Sequence, residues 1–151
     1  MPPSVSHRLR FLFPLGTGLL IGLGFWLRVH QLGAQSVWWD EAHETHIVAQ
    51  GLAAIWNLPA GESWNHPPGH WLLQAVWIRL AGQGEFSLRF LSALAGTLLL
   101  AGVYRVSRRW FDALTALLAT GLTAIYPVYI VYSQEARVYA FLPLLSWHIV
   151  D

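Results

Sequence analysis

Seven residues, Trp38-Trp39-Asp40-Glu41-Ala42-His43-Glu44, hold three carboxylates and a histidine, in a 151-residue chain with only eight Asp and Glu in all. Such a cluster is suited to general acid–base work, in which a carboxylate within hydrogen-bond reach takes a proton from a weak nucleophile. It also suits a helix N-terminus, whose dipole favours negative charge, and that is a purely structural reason for it. Periodicity separates the two. Apolar positions recur at 47, 48, 51, 52, 55 and 56, a helical stripe. Extended backwards at about 100° per residue, the stripe reaches Glu44, Glu41 and, at its margin, Asp40, whereas His46 points away. The carboxylates therefore continue a buried face, which the dipole does not explain.

Other residues carry weaker signals. His66 lies in Asn65-His66-Pro67-Pro68, where the residue before proline is held extended and proline suits a first helical turn. His66 either lines a site or forms a structural corner. His43 and His46 are three apart, a spacing that can suit a metal, but they flank the buried stripe. No cofactor is demanded, and a divalent metal stays open. Arg89 is placed to pair with Glu85 at (i, i+4). Trp64 and Trp71, near His66, could stack on a sugar, while the other Trp residues read as interfacial anchors.

The elements that position these residues are apolar. The chain is 55% hydrophobic and 11% charged, with a mean hydropathy of +0.44, against roughly 25% charged for a soluble domain. That composition points to a membrane protein. A net charge of +1 argues against nucleic acid as a partner. Absence of Cys excludes disulfides, thiolate metal sites and cysteine nucleophiles.

The fold class expected is all-α: a polytopic membrane protein with three spanning helices, a partial fourth, and two interfacial helices in the first outer loop. Phe11 to Leu27 gives seventeen uncharged residues, roughly 26 Å of helix and just enough to span. The spans fall at about 11–29, 86–104, 113–131 and 137–151. Surface helices fall at about 40–56 and 67–82. All nine basic residues are Arg. The positive-inside rule places Arg8, Arg10, Arg105, Arg108 and Arg109 in the cytoplasm. Asp40, Glu41, Glu44, His66, Glu85, Arg89, Glu135 and Arg137 then share the outer side. Ala93-x-x-Gly96 and Ala101-Gly102 suggest close helix packing.

Trp39-Asp40-Glu41, His66-Pro67-Pro68, Phe86-Ser87-Leu88-Arg89-Phe90 and Tyr132-Ser133-Gln134-Glu135-Ala136-Arg137-Val138-Tyr139-Ala140 together resemble the GT-C membrane glycosyltransferases. The nearest group is the bacterial one related to protein O-mannosyltransferases and the aminoarabinose transferases of lipid A. The resemblance covers about residues 20–150 and corresponds to the N-terminal portion of a protein with about a dozen spans. Asp151 falls within the fourth hydrophobic stretch, so the chain reads as a fragment. The resemblance implies inverting transfer of a sugar from a polyprenyl-phosphate donor to a lipid, glycan or protein acceptor. It also implies an inner (plasma) membrane protein with a cytoplasmic N-terminus and an extracytoplasmic active side. Asp40 and Glu41 match the catalytic acid pair, with Asp40 as general base and Glu41 orienting its surroundings or the acceptor. Arg137 is the candidate for the leaving phosphate's growing charge, and Glu135 and His66 for substrate binding. Glu44 reads as a supporting partner. The alternatives are a non-catalytic membrane module or degenerate remnant that binds sugar-lipid, or a transporter fragment, which would need charges in mid-span.

Overall fold

The computed structural model describes residues 7–58 and 68–150, with side chains described for 12–58 and 68–146. All regular structure among them is helical. Helix α1 (His7–Val29) leads into a connector and three short helices, α2 (Trp39–Ala49), α3 (Leu52–Trp56) and α4 (Pro68–Ala81). Then come α5 (Glu85–Trp110), α6 (Ala113–Ile125), α7 (Pro127–Ser133), a 3-10 turn (Val138–Ala140) and α8 (Phe141–Val150).

Two stretches, Leu12–Val29 and α5, are long and apolar enough to cross a membrane, and α6 with α7 makes a third if that bent pair is one span. The span expected at 113–131 is corrected to a bent pair of helices, since α6 and α7 meet at 59°. The cause is Pro127, which forces Tyr126 out of the helical region (φ −67°, ψ 119°) and starts a new helix. Proline removes the amide that would have bonded Thr123, and the break frees Ala124 as well. Arg28, fully buried on α1, donates to both carbonyls, at 3.4 and 3.2 Å. Arg28 is the basic residue in the last turn of α1.

The expected surface helix 40–56 is also corrected. It breaks between α2 and α3 at Gly51, whose φ of +96° only glycine adopts without strain. The fold-back lets Ile47, Val48 and Ile55 form one core with Trp71, Ala75 and Ile78 of α4 and Leu88 of α5. Trp71 is 2% exposed in that core, so it has no face to offer a sugar. Trp64 lies outside the described residues.

Helix α5 is the central element, in contact with α1, α4, α6, α7 and α8. It runs past the expected end at 104, and Arg108 and Arg109 in its last turn complement the helix dipole. Asp112 then caps α6 by accepting from the Thr115 amide at 2.9 Å. Within the candidate spans, the hydroxyls of Thr17, Thr97, Thr120 and Thr123 each donate to the carbonyl four residues back, which satisfies those donors inside their own helices.

Close approach of α5 and α7 depends on Gly96. A Cβ there would sit 1.9 Å from Ser133 Oγ and 3.0 Å from Arg28 Nε. Ala93 is likewise buried, whereas Ala101 faces outward. Gly96→Ala should therefore cost about 1–3 kcal/mol, as overpacking does. The measurement is thermal unfolding of the detergent-solubilised chain, and an unchanged melting temperature would contradict the packing.

Candidate functional site

Four segments meet at one end of the bundle: α2, the start of α4, the start of α5, and the strap Gln134–Arg137 between α7 and the 3-10 turn. The strap is anchored residue by residue. Gln134 donates its amide to the Leu27 and His30 carbonyls at the C-terminus of α1, both at 3.1 Å. The Ala136 amide donates to Glu41 Oε1 at 2.7 Å. The Arg137 carbonyl accepts from Ser92 of α5 at 3.2 Å. Sequence 133–137 thus has a packing reason at almost every position.

Glu41 and Arg89 form the hub behind the strap. Arg89 Nε and Nη2 donate to the two Glu41 oxygens at 3.0 and 2.7 Å. Its remaining donors go to the carbonyls of Leu32 (3.0 Å), Gln35 (2.8 Å) and Ser36 (3.2 Å) in the connector after α1. All five guanidinium hydrogens are thereby used. The sequence expectation that Arg89 pairs with its local neighbour Glu85 gives way to this partner on another helix. A cavity of about 210 Å³, lined by His30, Gln31, Gln35, Arg89 and Gln134 among others, opens onto the connector side of the hub.

The two residues of the expected acid pair therefore stand in different surroundings. Glu41 is 1% exposed, with both oxygens engaged. The Asp40 side chain is 44% exposed and pairs with Arg137 through Oδ2 and Nη1. Successive helical residues point about 100° apart, which is how one of two adjacent carboxylates reaches solvent while the other reaches the core.

Arg137 lies with its guanidinium between the rings of Trp38 and Tyr139, 5.9 and 5.1 Å from their centroids. Behind it, Glu44 Oε1 stands 3.4 Å from Nε. Burial works against the Arg137 charge, but the hydrogen bond to Asp40 and the charge of Glu44 outweigh it and raise its pKa. Glu44 continues to α4: its Oε2 is 3.7 Å from His70 Nδ1, and Trp71 hydrogen-bonds it. Burial pushes its carboxyl up to about 7, against the pull of Arg137 and Trp71. Glu135 is half-buried on the strap, and its pKa is raised, first by burial and then by the charge of Glu41.

The structure thus gathers Asp40, Glu41, Glu44, Glu135, Arg89 and Arg137 at one end. His66 lies outside the described residues. His43 and His46 are exposed on α2, and among the described residues no group of three or more His, Cys, Asp or Glu is arranged to hold a metal. His70 is the site residue that sequence reasoning missed. Its signal was present, since it stands two positions into the helix begun by Pro68, on the face shared with Gln74.

Apolar candidate spans mark a membrane protein, and its charged cluster is gathered at one end of the helix bundle. Residues 65–150, more than half of the chain, match the family described as dolichyl-phosphate-mannose-protein mannosyltransferase, and the chain belongs to that family, of the GT-C membrane glycosyltransferase type. No curated protein and no solved structure matches the chain. The matched stretch contains Arg89, Glu135 and Arg137. Asp40 and Glu41 lie before it and are tied to it through Arg137 and Arg89.

Proposed function

We propose that this chain carries the donor-phosphate and general-base side of an inverting transferase. The sugar moves from a polyprenyl-phosphate carrier to an extracytoplasmic lipid, glycan or protein acceptor. The observation that supports this reading is the Asp40–Arg137 pair, in which a half-exposed carboxylate meets a buried guanidinium backed by buried Glu44. It sets a base and a cation side by side at the mouth of the site.

In the reaction, Asp40 accepts the proton of the acceptor hydroxyl as that oxygen attacks the anomeric carbon. The bond from that carbon to the phosphate oxygen breaks, and Arg137 receives the negative charge that the leaving phosphate gains. In the structure these two groups neutralise each other. Donor phosphate on Arg137 competes with Asp40 for the guanidinium and leaves the carboxylate free to act as base. Glu41 is a positioning residue in this scheme, since Arg89 and the Ala136 amide occupy it. Glu135 and His66 are assigned to sugar or acceptor contacts. The carboxylate end faces outward from the inner membrane, with α2–α4 lying at the interface and the N-terminus in the cytoplasm.

The test supplies membranes containing the protein with radiolabelled mannose, either on a polyprenyl phosphate or on a nucleotide. Transfer is expected from the lipid-linked sugar alone. Transfer from the nucleotide sugar would overturn the donor assignment. Binding of the lipid-linked sugar without transfer would make the chain a non-catalytic sugar-lipid module.

A further inference from the structure

The site holds more negative than positive charge before any substrate arrives. Four carboxylates, Asp40, Glu41, Glu44 and Glu135, face two guanidiniums, and Arg89 is committed to Glu41. Arg137 is left to serve Asp40 and Glu44 together. A phosphodiester donor brings one further negative charge to the same cation, so binding is opposed unless a positive charge enters with it. Asp40 and Glu135 are partly exposed, and water screens them. Glu44 and His70 are 3% and 6% exposed and have no such relief.

We propose that the Glu44–His70 pair takes up one proton when a phosphodiester donor binds at Arg137, which makes Glu44 the positioning residue for the donor phosphate. This inference rests on the donor-phosphate reading of Arg137. The proton goes to the pair because the two groups are 3.7 Å apart, and one proton on either carboxyl or imidazole neutralises the carboxylate beside Arg137. With Glu44 neutral, the guanidinium is no longer divided among anions. It stays between Trp38 and Tyr139 and turns its charge to the phosphate.

The groups around Glu44 all bear on that proton. Asp40 and Glu41 on its own helix favour uptake, and Arg137 on the strap opposes it. A phosphate on Arg137 cancels that opposition. From α4 come His70 and Trp71. From α8 comes the uncharged ring of Phe141, edge-on to His70 at 5.2 Å. Burial already holds the Glu44 carboxyl well above the usual carboxylate range, so a change in local charge at Arg137 favours the uptake.

Calorimetry of the whole chain in nanodiscs tests this, with citronellyl methyl phosphate as the probe because its single charge does not titrate in the working range. Titrations near pH 7.5 are run in two buffers of different ionisation enthalpy. The wild-type chain is expected to take up most of a proton. Its Kd should rise severalfold, up to tenfold, for each pH unit above 7. Glu44→Gln should bind without proton uptake and with a Kd nearly independent of pH. His70→Gln leaves the proton to Glu44 alone, so if Glu44→Gln does not insert, this variant should show a shifted pH range of uptake and therefore a different uptake at pH 7.5. Binding by wild type with no uptake, or equal uptake in wild type and both variants, overturns the inference and leaves the donor-phosphate reading standing. No binding at all overturns both.

Discussion

Arg89→Met is expected to destabilise the protein by about 3–5 kcal/mol, the usual result of removing one partner from a buried ion pair. Glu41 would remain 1% exposed and would accept from the Ala136 and Trp38 amides, at 2.7 and 3.5 Å, with no cation beside it among the described residues, and a buried carboxylate without a cation is costly. Three connector carbonyls would lose their donor at the same time. The loss should appear as a large drop in the melting temperature of solubilised protein and as protease sensitivity of the connector at 30–38. Combining Arg89→Met with Glu41→Leu should recover much of it, because no unpaired charge is left. Recovery is incomplete, since the connector carbonyls of Leu32, Gln35 and Ser36 still lack the donors that Arg89 supplied. A wild-type melting temperature for the single variant would show that the hub does not hold the segments together.

Asp40→Asn should have the opposite profile. Asparagine is isosteric and still accepts a hydrogen bond from Arg137, and the site is half exposed, so insertion and melting temperature should change little. It cannot take a proton from an acceptor hydroxyl. Transfer should fall by about 10²–10⁴-fold, the range for removal of a general base. The measurement is initial transfer rate at saturating lipid-linked donor, alongside the variant's melting temperature. A rate within a few-fold of wild type would remove Asp40 from the chemistry and move the base role elsewhere.

These two neighbours could be told apart only in part from the sequence. The stripe through Ile47 and Val48 put Glu41 and Glu44 on the buried face and His46 outside it, and the structure has them so. Periodicity carries that information because a helix repeats its direction every few residues. Arg89 could not be read the same way. Its acid partner lies 48 positions earlier, and only a local candidate, Glu85, lies within the reach of pattern reasoning. Hydropathy gave 113–131 as one apolar stretch because it averages over Pro127. The bend is a backbone event at one residue, and apolar content is the same on both sides of it. Arg28 and His70 were missed for a related reason. Each sits at the end of an element, where a polar residue is ordinarily wet, and each is covered by a helix distant in sequence.

The hub has a consequence for how the protein is made. Glu41 emerges from the ribosome well before Arg89, and Ala136 comes later still. Until α5 has been made, the loop between α1 and α5 holds a carboxylate whose native cation does not yet exist. Until α6 and α7 have followed, the strap that closes over it is missing. The loop between α1 and α5 therefore reaches its final form late, only after the chain has been made through Arg137. Biogenesis and site assembly share one checkpoint, a salt bridge that cannot close out of order.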